Sequence, residues 1–151
     1  MAQRLIICLS VILIAVPVAS RAGDDAKKAL EGVWIGESMI ADGKPVPAAD
    51  AARMRFAFRD GKLFLKGNFN DDREEECTYR LDAKQSPKHF DFTPKLEKES
   101  ILGIYAVKGD VLTLCLRHEK SRARDRPTEF SSKPGSDVIL LVLKKQKARA
   151  E

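Results

Sequence analysis

Histidine occurs only twice in the 151 residues and tryptophan once, and the short motifs that give such residues a chemical role are missing. There is no Gly-x-Ser-x-Gly, no His-Glu-x-x-His and no paired-cysteine spacing, so neither a nucleophile elbow nor a zinc site is written locally. No catalytic residue, metal or cofactor is expected, and the chain reads as a non-enzyme. Cysteine is nearly as scarce, with three. Cys8 lies early in an apolar run behind Leu5-Ile6-Ile7, the wrong place for a lipoprotein attachment, which leaves Cys77 and Cys115. In "CTYRL" Cys77 keeps phase with Tyr79 and Leu81, whereas in "VLTLCLR" Cys115 is out of phase with Leu112, Leu114 and Leu116. The two thiols are therefore expected on opposite faces of a sheet and unbridged.

The long apolar run is at the start. Arg4 precedes Leu5 to Ala19, and small residues follow at Ser20 and Ala22, the order of a secretory signal. Pro17 interrupts the run, which is shorter than the roughly 20 residues of a spanning helix, so it reads as a removed leader rather than an anchor. Cleavage after Ala22 or Ser20 fits. The protein is then exported, periplasmic or extracellular, and meets the membrane only through the signal before cleavage. Residues 1–22 are assigned to the signal, 23–144 to a single domain and 145–151 to a basic tail.

Charge of one sign is also missing from the domain. The net charge of +5 resides at the ends: Arg4 and Arg21 in the leader, and Lys144, Lys145, Lys147 and Arg149 against Glu151 at the C-terminus. Residues 23–143 balance to neutrality, and the basic segment from Arg117 to Arg126 has no aromatic on which a base could stack, so nucleic acid is not an expected partner. No protein partner is indicated and a monomer is expected.

What is present is alternation. "MRFAF" and "KLFLK" flank Asp60-Gly61, a strong hairpin signal, and "VWIGESMI", "CTYRL", "HFDFT", "ILGIYAV", "VLTLCLR" and "DVILLVLKK" read as further strands. Asp42-Gly43 and two prolines in "ADGKPVP" are expected to stop the first strand. "AADAARM" is the one short helix expected inside the domain, while "DDAKKALEG" reads as a helical turn or a frayed lead-in. With no crossover helices to support a parallel sheet, the fold class is all-β: a small antiparallel up-and-down barrel of about eight strands.

Gly32-x-Trp34, "DGKPVP", "CTYRLD" with "PKHFDFTP", "LGIYAVKGDVLTLC" and "RPTEFSSKPGS", in that order, resemble a family of secreted lipocalin-like domains expanded in planctomycete bacteria. The likeness spans about Leu30 to Lys144. It implies a lipocalin-like barrel and an exported compartment, and it assigns no particular activity. It also implies that Trp34 plugs the closed end of the barrel under a cation, for which Lys144, Lys145 and Arg126 are the candidates. Cys77 departs from the family, which has glycine there.

Within "RPTEFSSKPGS", Arg126, Pro127 and Glu129 suit either a polar rim that recognises a ligand or a loop fastened to the barrel. The structural reading is preferred, with Arg126 and Glu129 fastening the loop and Phe130 plugged into the wall. His89 and Asp91 are expected to face solvent opposite inward Phe90 and Phe92, and the acidic run Asp71 to Glu76 is expected to be a solvated turn. Two functions remain open. In one, Phe56, Phe58, Leu65, Tyr79, Phe90, Phe92 and Leu114 line an interior that accepts a small apolar ligand. In the other, the same side chains fill the barrel of a ligand-free envelope or protein-interaction module.

Overall fold

The alternating runs become strands in a computed structural model that describes residues 19–67, 73–118, 121 and 124–148. The strands are β1 (Gly32–Ala41), β2 (Lys44–Pro45), β3 (Arg55–Arg59), β4 (Lys62–Lys66), β5 (Glu75–Asp82), β6 (Lys88–Pro94), β7 (Ile101–Lys108), β8 (Val111–Arg117) and β9 (Val138–Lys145). Each of β3 to β9 pairs antiparallel with its predecessor in the barrel, β3 joins β1, and β9 returns to β1. The result is a closed eight-stranded antiparallel barrel with β2 as an appendage, and closure removes the free edges that an open sheet would expose.

Two features differ from expectation. The "ADGKPVP" segment does not end pairing outright: Asp42 (φ 49°) and Gly43 (φ 76°) form a left-handed turn, and Ile40 and Ala41 pair with Pro45 and Lys44. Proline is tolerated there because β2 has no further neighbour to need its missing N–H. The lead-in is a full helix, α1 (Ala19–Leu30), so the described residues hold two short helices with α2 (Ala48–Ala51). The end of α1 is held by the barrel itself, since Leu30 is fully buried and its carbonyl accepts a 2.8 Å hydrogen bond from Trp34 Nε1. Residues 1–18 of the segment read as a signal, together with Asp71 and Asp72 and residues 149–151, lie outside the described residues.

Helix α2 sits at the opposite end from α1. It packs on β1 where a bulge between Gly36 and Ser38 breaks the register with β9. A Cβ on Gly36 would stand 1.9 Å from the Ala51 carbonyl oxygen, and the Gly36 N–H donates to the Met54 carbonyl at 2.9 Å. Glycine is thus required there for close approach of two backbones. Inside the barrel one apolar cluster runs from Leu30 and Trp34 to Leu141 and Met39, and each large side chain in it contributes about 1.5–3 kcal/mol through burial.

Candidate functional site: a barrel filled at one end and open at the other

The inward side chains divide along the barrel axis. Towards α1 the interior is solid. Phe58, Tyr79, Phe90 and Tyr105 are all buried, with ring centroids 5.2 Å apart for Phe58 and Tyr79, 6.1 Å for Phe58 and Phe90, and 6.3 Å for Phe90 and Tyr105. Edge-on contacts of this kind add to the burial of the rings themselves. Trp34 closes this end, fully buried, with Lys145 Nζ 5.1 Å from its ring centroid. Among the three candidate cations it is Lys145 that covers the indole. Lys144 faces Glu37 at 3.7 Å instead, and Arg126 is engaged on the outer wall.

Towards α2 the interior is empty over a volume of about 520 Å³. On strand after strand the change comes at the same level: Phe56 lines the cavity and Phe58 does not, and the same holds for Leu65 over Leu63, Phe92 over Phe90, Leu116 over Leu114 and Leu141 over Leu143. The seven residues expected to form a ligand-accepting interior are all inside the barrel, yet the structure splits them. Phe56, Leu65 and Phe92 line the cavity, while Phe58, Tyr79, Phe90 and Leu114 belong to the filled end. Met39, Met54, Ile101, Leu116, Ile139 and Leu141 complete the wall. Apart from Met39, which the bulge between Gly36 and Ser38 turns inward out of phase with Trp34, their apolar positions keep phase in the sequence, but phase reports which face a residue takes and not how far along the axis it stands.

The mouth carries Lys66, Arg73, Glu74, Glu75, Glu76, Lys95, Leu96, Arg117 and His118. The described part of the acidic run departs from the solvated turn expected of it at its end, while Arg73 and Glu74 are exposed and outside the strands. Glu75 and Glu76 lie in β5, opposite Leu65 and Phe64, and cross-strand cations claim the charges: Glu74 pairs with Arg59 at 2.6 Å, and Glu76 with Lys62 at 2.5 Å and Lys95 at 3.9 Å. The Lys62 hydrogen bond holds the Glu76 carboxyl below its usual range. Arg117 is fixed from the loop side, donating to the Ser136 carbonyl at 2.5 Å and to the Asp125 carbonyl and carboxylate at 3.0 Å each. Leu96 stands 90% exposed at this rim.

The "RPTEFSSKPGS" segment lies on the outer wall as a strap tied at both ends. Arg126 grips the Asp91 carboxylate with both terminal nitrogens, one at 3.0 Å, and donates to the Gly103 carbonyl at 2.7 Å. At the far end Ser132 Oγ accepts from the Gly43 N–H at 3.0 Å and donates to the Val138 carbonyl at 2.6 Å, while the Asp137 N–H reaches Asp42 at 3.2 Å. Fastening by Arg126 agrees with the preferred sequence reading; three details do not. Phe130 is 38% exposed rather than plugged into the wall, because it falls between the two ties, and Pro127, next to the Arg126 anchor, is the buried residue. Glu129 does not fasten the loop to the barrel but pairs within it, with Lys133 at 2.5 Å. Asp91 is not turned to free solvent, since it is the strap's anchor, and its side chain keeps only 22% of its exposure.

The thiols occupy opposite faces as their phases require. Cys77 lies in the main interior cluster, and Cys115 packs with Ile104 and Val138 under the strap, its Sγ 3.6 Å from the Ser131 carbonyl. Both are free and buried. Burial pushes Cys77 up to about 12 and raises Cys115 as well, which suits inert thiols rather than nucleophiles. Among the described residues no group of three or more His, Cys, Asp or Glu side chains is placed to hold a metal ion. Comparison of the chain with protein-family models, with curated proteins and with solved structures finds no match.

Proposed function

We propose that the chain is an exported, lipocalin-like binding protein that takes a small apolar ligand into the open end of its barrel, and that it works by holding this ligand rather than by catalysis. One observation carries the reading: the cavity of about 520 Å³, walled by Phe56, Leu65, Phe92 and aliphatic or thioether side chains, with the charged groups confined to its mouth. That volume is within the roughly 300–1,000 Å³ typical of pockets for drug-sized ligands. Removing apolar surface from water drives such binding at about 25 cal/mol per Å² before the cost of immobilisation. The ligand-free interaction module draws support from the other half of the barrel, where four buried aromatic rings leave no room for a guest.

Native mass spectrometry of protein recovered outside the cytoplasm of its host tests both parts of the proposal. The expected species lacks the leader, starting between Ser20 and Gly23, and carries the added mass of a small molecule that is released on denaturation. An intact Met1, or a bare protein that also fails to take up a neutral naphthylamine fluorophore, would count against it.

A further inference from the structure

Resting on that reading, we infer that the open end is a shallow cup for a compact apolar molecule, such as a fused-ring or short-chain compound, and that Phe92 and Phe56 form the floor that sets the length of guest accepted. Inward positions on a strand are two residues apart, about 6.6 Å along the chain. On β6 only Phe92 and Pro94 line the cavity, and the next inward residue below them, Phe90, is fully buried in the aromatic cluster. The rings of Phe90 and Phe92 are 5.8 Å apart, so there is no gap between floor and filling. The cavity is thus two inward layers deep, about 10 Å once the usual strand tilt of about 35–45° is allowed for. That is shorter than an extended long-chain acyl group. The floor is also stiff, because each ring beneath it is held by others from different strands, some across the barrel.

Displacement of a neutral naphthylamine fluorophore by straight-chain alcohols, from butanol to hexadecanol, reads the depth directly. Each buried methylene strengthens binding by about fourfold, so affinity should climb along the series in the parent protein and then level off once the chain reaches the floor. In Phe92→Ala the levelling point should move to longer alcohols, while Phe130→Ala on the outer wall should leave it unchanged. Phe92→Leu, a milder change, gives the same comparison where alanine prevents folding, with a smaller shift expected. Affinity that rises without a break to hexadecanol in the parent, or a levelling point unmoved in a folded Phe92 variant, overturns the floor while leaving ligand binding intact. A fluorophore that never binds the parent overturns both.

Discussion

Arg126 donates hydrogen bonds to β6 and β7 at once, through Asp91 and the Gly103 carbonyl, whereas Phe130, four residues on, keeps 38% of its surface in water. By hydrophobicity alone the ranking of the two would be reversed. A planar, fully charged guanidinium matches a carboxylate in two parallel bonds, and removing it strands a partly covered acid and a carbonyl. Arg126→Ala should therefore cost about 1–3 kcal/mol, while Phe130→Ala should cost less than about 1 kcal/mol, close to other surface changes. Thermal or urea melts of the two variants decide the matter. A larger loss for Phe130→Ala would mean that the ring, not the ion pair, holds the strap.

At the scale of the elements, the seating of α2 depends on the glycine beneath it. Gly36→Ala places a methyl 1.9 Å from the Ala51 carbonyl oxygen, a backbone atom that cannot rotate away, so the helix must lift and the Gly36–Met54 hydrogen bond must lengthen. We expect a loss of about 1–3 kcal/mol, the usual range for overpacking, together with weaker fluorophore binding because Met54 belongs to the cavity wall. A variant equal to the parent in both would show that α2 is loosely seated. Strand identity was legible in the sequence because runs such as Phe56/Phe58 and Phe90/Phe92 alternate cleanly, and the opposed phases of Cys77 and Cys115 were legible for the same reason. What alternation does not encode is height. Phe56 and Phe58 are indistinguishable by phase, yet one borders the cavity and the other packs into the filling beneath it. Nor does it encode which of several cations will cover Trp34, which follows from the pairing of Trp34 with Lys145 across β1 and β9. The short β2 and the full length of α1 escaped because proline and charge look unfavourable locally, and both elements draw their support from the rest of the barrel.

For the whole molecule, the buried titratable groups set a one-sided response to pH. Burial raises Cys77 from 9.0 to about 12 and raises Cys115, Tyr79 and Tyr105. Their folded values lie above the unfolded ones, so their contribution is complete below about pH 9 and is lost as the pH climbs, because the unfolded chain then releases protons that the barrel retains. The urea midpoint should be nearly flat around neutrality and should fall from about pH 9 upward, with a shallower fall in Cys77→Ala. A midpoint constant to about pH 11 would contradict this. The closed end has another consequence. Helix α1 enters the barrel there, and the chain leaves it there too, since Gln146 bonds to Val33 at 2.7 Å and Trp34 pairs with Lys145. The segments that flank the barrel, before β1 and after β9, therefore meet it at one pole. A surface, a resin or a fused protein joined close to either segment would lie at the pole opposite the cavity.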